Sequence, residues 1–251
     1  MQLSARSPVV VDHRYKGVIF WDIDKTLIDT DLLLLDVFPK NLAKFLGKSL
    51  EETIELSHQT YYAHGCSIAP FMQERGLHPQ GTLDFYREAS EAVYARRHEL
   101  ILCPELPQLL DSLTSDDWLQ GIITQGHSHY AQWMVDLMQI RSSLHPHLIV
   151  GLDDAQAGLK RHGHPYKAAW QRLEFVHHNQ PRWMVEDSPA NLIPLKHELA
   201  HKCIGTALVG ERELTPEQAA CVDERHPRVH EFALARLGNV NQTDRAIQAA
   251  E

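Results

Sequence analysis

The stretch "VIFWDIDKTLIDT", residues 18–30, decides the fold. Val18, Ile19, Phe20 and Trp21 make a continuous apolar, β-prone run, the pattern of a strand covered on both faces. The run stops at Asp22, and a second acid, Asp24, stands two positions on. Carboxylates gathered at the end of a buried strand repel one another unless a cation offsets them. The fold therefore has to supply both a sheet and a cation.

Four more apolar runs end at turn signals, at residues 119–123, 148–151, 183–185 and 203–209; with 17–21 they predict five buried parallel strands. Between the later runs lie helical patterns. "HYAQWMVDLMQI" places Trp133, Leu137 and Ile140 on one face, and "YKAAWQRLEFVHH" does the same with Trp170, Leu173 and Val176. Strand and helix in alternation predict an α/β fold with a Rossmann-like, doubly wound parallel sheet. Residues 30–102 break the rhythm. They hold no convincing strand, a capping box at Ser49–Glu52 ("SLEE") and a helix pattern in "LDFYREASEAVYARR". This predicts an all-helical domain of residues 30–102 inserted into a core of residues 1–29 and 103–251. The segment "PRVHEFALARLGNVNQTDRAIQAAE" reads as one core-packing helix and a polar tail.

Composition narrows the function classes. The 251 residues are 43% hydrophobic, enough for a sizeable core, and the formal net charge of −9 argues against gripping a nucleic-acid polymer. A small phosphorylated partner remains compatible, because a local site can be cationic within an acidic whole. Cys66, Cys103, Cys203 and Cys221 lack CxxC spacing, which fits reduced thiols in a cytoplasm. No apolar run reaches membrane-spanning length, and the N-terminal residues lack a long apolar targeting region. The expectation is a soluble cytoplasmic protein; oligomeric state is left open.

In an open parallel sheet, ligands bind at the carboxyl ends of the strands. Those ends carry Asp22 and Asp24, then Thr124 in "IITQG", then Glu186 and Asp187 in "MVEDSPANL", where Ser188 and Pro189 read as a helix start. After the third strand, "GLKRHGHPYKAAW" offers Lys160, His164 and Lys167. Singly, each is as easily a turn residue or a solvated charge. Jointly, an all-oxygen acidic set favours Mg²⁺, which takes one or two carboxylates and a substrate phosphate.

These segments resemble the haloacid dehalogenase-like superfamily: "DIDKT" is similar to its DxDxT signature, "IITQG" to its second motif and "VEDSPANL" to its fourth. The helical insertion stands where that superfamily places a C1 cap, and its sequence, with "ILCPELPQLLDSL", resembles the pyrimidine 5′-nucleotidase-like branch. The resemblance implies a Mg²⁺-dependent phosphatase acting on a small phosphomonoester, a nucleoside monophosphate among the candidates. It implies Asp22 as nucleophile and Asp24 as general acid and then base. It implies Mg²⁺ held by Asp22, the Asp24 main-chain carbonyl and Asp187, with Glu186 acting at one remove. Thr124 and the amides of Gln125 and Gly126 are implied to bind phosphoryl oxygens at a helix N-terminus.

The chain departs from the superfamily pattern in two places. Position 25 is Lys where Gly or Asn is common. The third-motif lysine should precede the helix before "VEDS"; relatives often carry Lys-Pro, and His164-Pro165 stands there. Lys167 is the expected substitute, ahead of Lys160. The pairs His145/His147, His162/His164 and His177/His178 read as surface or capping residues rather than zinc ligands, as do His127/His129, which are set apart because they flank the implied phosphate-binding helix start. Tyr61, Tyr62 and Phe71 are candidates to stack on a base, though helix-face aromatics are more often core. Dehalogenation would not need Asp24, which argues against it. A phosphomutase, or a non-catalytic binding module, remains the alternative.

Overall fold

The structure is a computed structural model of the chain and describes residues 7–64, 79–154, 158–199 and 204–237. Six strands form one parallel sheet: β2 (Gly17–Trp21), β3 (Trp118–Ile123), β4 (Ile149–Val150), β6 (Arg182–Glu186), β7 (Ile204–Val209) and β8 (Glu224–His226), in the order β4-β3-β2-β6-β7-β8. The chain winds outward from β2 in both directions, so the crevice at the carboxyl end of β2 is the topological switch point.

Every residue of β2 is buried, and its side chains alternate between the two sheet faces. Ile19 and Trp21 join one cluster with α4 (Leu106–Ser115), α5 (Ser128–Leu137) and α9 (Val229–Leu237). Val18 and Phe20 join the other, with α6 (His164–Trp170) and α7 (Pro189–Leu199). The indole of Trp21 keeps its polar edge satisfied by donating to Gln120 Oε1 at 3.1 Å. Burial on both faces is why the sequence shows unbroken apolar runs here rather than alternation.

All five expected strands are present, and the α/β class with its doubly wound sheet holds. Two elements differ from expectation. The helix expected to run through Leu173 and Val176 ends at Trp170, and Leu173–Phe175 is a strand, β5, parallel to β1 (Val9–Val11). Apolar residues at 170, 173 and 176 satisfy a helical period, but pairing with the N-terminal Val9–Val11 segment overrides it. The short edge strand β8 carries charged residues on a half-exposed ladder and gives no apolar run to find.

Among the described residues between β2 and α4 lie three α-helices: α1 (Asp31–Leu46), α2 (Leu50–His64) and α3 (Pro79–Ala95). Ser49 and Glu52 make the reciprocal bonds of a capping box before α2: Ser49 N donates to Glu52 Oε2 (3.1 Å) and Glu52 N donates to Ser49 Oγ (3.3 Å). The chain leaves and returns side by side, Asp29 and Ile101 forming an antiparallel bridge. Among the described residues no helix is long and apolar enough to cross a membrane. Cys103 and Cys221 are free thiols; Cys66 and Cys203 lie outside the described residues.

Candidate active site

Parallel pairing sets the register of the site. Trp21 lies beside Ile122 on one side and Val185 on the other, and Asp22 N donates to Val185 O at 2.9 Å. The residues just beyond these strands therefore meet: Asp22 from β2, Thr124 from β3, Glu186 and Asp187 from β6. Asp22, Glu186 and Asp187 are buried, and each presents a carboxylate oxygen within 4.8 Å of the others. This is the one such group among the described residues that could hold a metal ion.

The loop after Asp22 is tightly closed. Lys25 N donates to Ile28 O (2.7 Å), Leu27 N to Ile23 O (2.9 Å), and Thr26 Oγ1 leans on Asp22 Oδ2 at 3.4 Å. Lys25 takes a left-handed conformation, φ +64°, which costs a non-glycine residue about 1–2 kcal/mol. That explains why Gly or Asn suits position 25, and the strain falls beside the carboxylates of Asp22 and Asp24.

The lysine assignment is corrected. Lys160, not Lys167, enters the site: Lys160 is completely buried, and its Nζ donates to Asp22 Oδ1 (2.5 Å) and Glu186 Oε2 (2.8 Å). Helix α6 turns Pro165, Tyr166, Ala169 and Trp170 inward, which puts Lys167 on its exposed face; His164 is exposed as well. Lys160 sits instead in a 3-10 turn (Lys160–His162) closed by Gly163 at φ +75°, before the helix begins. The usable signal is position relative to the helix, and the His-Pro pair is misleading. Burial alone disfavours the charged ammonium, but Asp22 and then Glu186 outweigh it and hold Lys160 protonated above its ordinary range.

The acids are strongly perturbed. Burial, then the charge on Asp22, pushes the carboxyls of Glu186 and Asp187 well above the usual range, while Lys160 and Arg212 respectively oppose the rise. Both oxygens of Glu186 are engaged, one by Lys160 and the other by Asn191 Nδ2. Asp187 Oδ2 accepts from Arg212 Nη2 at 2.9 Å. Asp24 stands apart, with its Oδ1 accepting from the buried Tyr130 hydroxyl at 2.5 Å. Burial and Asp22 raise its pKa to about 6, while the Tyr130 bond lowers it. The two acids of "DID" thus sit in different surroundings, Asp22 against the Lys160 ammonium and Asp24 against the Tyr130 hydroxyl.

The second-motif region departs from its expected form. Thr124 is buried, but the Gly126 amide donates to Thr124 Oγ1 (3.0 Å), and the Gln125 side chain accepts from Lys160 N (3.0 Å). The start of α5 is capped by protein acceptors: Asp153 takes Ser128 N (2.7 Å), and His127 Nδ1 takes His129 N (3.2 Å). The Gly126 amide, expected to meet a phosphoryl oxygen, is bonded to Thr124 Oγ1 in this structure. Gly126 is required for another reason: a Cβ there would lie 2.6 Å from the Tyr130 ring. His127 and His145 are helix or turn caps, as expected of these pairs. Tyr61 and Tyr62 fall in the last turn of α2, and Phe71 lies outside the described residues.

Similarity to known proteins gives the family. The family model for haloacid dehalogenase-like hydrolases matches residues 18–194, and the chain belongs to that family. No curated protein matches it. Among solved structures it is similar to a HAD phosphatase from Thermococcus onnurineus, at 16% identity and TM-score 0.56, covering 88% of this chain and 98% of that one. It is also similar to a hydrolase from Pseudomonas syringae (16% identity, TM-score 0.58, 90% and 98% covered). The same holds for CbbY from Rhodobacter sphaeroides, solved in complex with phosphate (21% identity, TM-score 0.62, 86% and 96% covered). At these identities the likeness is one of fold.

Proposed function

We propose that this hydrolase is a Mg²⁺-dependent phosphatase of small phosphomonoesters. The observation that carries the reading is Lys160 Nζ bridging Asp22 and Glu186 inside a buried acidic cluster, with Asp24 held separately by Tyr130. The donor set fits a hard cation: three buried carboxylates converge, and two of them are pushed upward in pKa. Asp22 and Asp187, with the main-chain carbonyl of Asp24, would hold Mg²⁺, which when bound offsets charge on the phosphoryl oxygens. Glu186 acts at one remove by fixing Lys160.

The chain's own residues supply the rest. An oxygen of Asp22 bonds to phosphorus as the ester P–O bond breaks, giving an aspartyl-phosphate, and Asp24 hands its proton to the departing oxygen. Asp24, now ionised, takes a proton from water, whose oxygen attacks phosphorus. Inorganic phosphate leaves and Asp22 is restored. Lys160, bonded to Asp22, meets charge on the transferring group together with Thr124. Residues 30–102 would form a cap over this site, hinged where Asp29 and Ile101 pair, with residues 1–29 and 103–251 as the core. The substrate is a small phosphorylated metabolite in a cytoplasmic setting, with nucleoside monophosphates among the candidates.

Hydrolysis of an aryl phosphate with Mg²⁺, beside EDTA and Asp22→Asn, tests the reading. Turnover that needs both the metal and Asp22 supports it; turnover independent of either overturns it. A panel of phosphate esters separates the alternatives. Phosphoryl transfer within a substrate, without phosphate release, marks a phosphomutase, and silence across the panel marks a binding module.

A further inference from the structure

Arg212 has no counterpart among the expected site residues and lies beyond the family match, which ends at residue 194. It belongs to the loop that leaves β7 at the carboxyl edge of the sheet. The backbone of that loop is fixed from the neighbouring edge strand. Gly210, at φ +99°, donates its amide to His226 O (2.9 Å), and Arg225 Nη2 donates to Arg212 O (2.5 Å). On this anchored backbone the Arg212 side chain, about 30% exposed, reaches inward and places one nitrogen on one oxygen of the buried Asp187.

We propose that Arg212 is a positioning residue for Asp187, bonded to one of its oxygens so that the carboxylate stays turned toward Asp22, where the pair can hold a divalent cation. The inference rests on the reading of Asp22 and Asp187 as metal-holding groups. What the guanidinium supplies is orientation. A carboxylate pressed against Asp22 and Glu186 without a cation is driven to swing away, which removes it as a ligand. A guanidinium bonded to one of its oxygens opposes that swing, and groups that orient a metal ligand are commonly worth about 10–100-fold in metal affinity. The edge strand β8 thereby gains a role at the site. Its two bonds to the 210–212 loop help fix where Arg212 starts.

Isothermal titration of Mg²⁺ into the substrate-free protein tests this without knowledge of the substrate. Wild type, Arg212→Gln and Arg212→Lys are compared, with urea unfolding as a check on folding. The expected result is Mg²⁺ affinity about 10–100-fold weaker in Arg212→Gln, with part of the loss recovered in Arg212→Lys, which keeps the charge but not the planar fork. Equal or tighter binding by a folded Arg212→Gln overturns the inference while leaving the metal site standing, because it would make Arg212 a bystander or a competitor of the ion. Wild-type protein that takes up no Mg²⁺ overturns the metal reading itself, and the inference with it.

Discussion

Replacing Lys160 with methionine keeps the length of the side chain and deletes its charge, which isolates what the ammonium does. Its Nζ lies 2.5 Å from Asp22 and 2.8 Å from Glu186. At an effective dielectric of about 20, each contact is worth about 6 kcal/mol of attraction, opposed by the cost of burying the ammonium. Removing one partner of such a buried group costs about 3–5 kcal/mol net, because the acids are left facing one another. For a chain of this size that lowers Tm by roughly 6–20 °C. The exposed Lys167→Ala should stay within about 0.5 kcal/mol of wild type. The pH dependence has a definite sign. Glu186 and Asp187 have raised folded pKa values, so their stability contribution is present at low pH and is lost as pH rises through those values. Without Lys160 the rise is larger, so the deficit of Lys160→Met is greatest near pH 8.5 and shrinks toward pH 6. Urea unfolding in EDTA at several pH values measures it. A deficit no larger than that of Lys167→Ala, or one that does not change with pH, would refute the electrostatic account of this lysine.

Asp24→Asn should lose about two to four orders of magnitude in turnover while Mg²⁺ binding persists, read by aryl-phosphate kinetics and titration. The same variant should gain up to about 3 kcal/mol of stability at pH 8, because a carboxyl raised to about 6 destabilises the fold when ionised; the gain should fall by about half at pH 5. At the left-handed position 25, Lys25→Val should unfold about 1–2 kcal/mol more easily than Lys25→Gly, by the same urea assay. Gly126→Ala places a methyl 2.6 Å from the Tyr130 ring and should displace the Tyr130–Asp24 bond. The expected readout is a fall in kcat with Mg²⁺ affinity retained; unchanged kcat would mean the ring moves without consequence.

Much of the fold is legible because burial on both faces leaves a signal that needs no partner to read. Residues 17–21 announce a central strand, and the alternation of such runs with helical patterns gives the doubly wound sheet. The signal fails where apolar spacing is ambiguous. Trp170, Leu173 and Val176 fit a helix, Leu173 and Phe175 fit a strand, and only Val9–Val11 alongside them decides. It fails again at β8, whose charged residues pair at an edge. In the site, acids at strand ends are visible because nothing but function or a turn explains them there, so Asp22, Asp24, Glu186 and Asp187 can all be picked out. The cations cannot. Lys160 and Lys167 look alike along the chain, and choosing between them needs the direction each side chain takes from a 3-10 turn or a helix. Arg212 carries no local pattern at all.

The amino-acid sequence by itself determined the class of fold, the strand ends that matter and the acidic character of the site, because strand periodicity and misplaced charge are properties of neighbours along the chain. Tertiary structure alone decided which cations meet those acids and which side chains cap the helix starts beside them. Those are contacts between segments 25 to 138 residues apart, fixed by sheet register and side-chain direction.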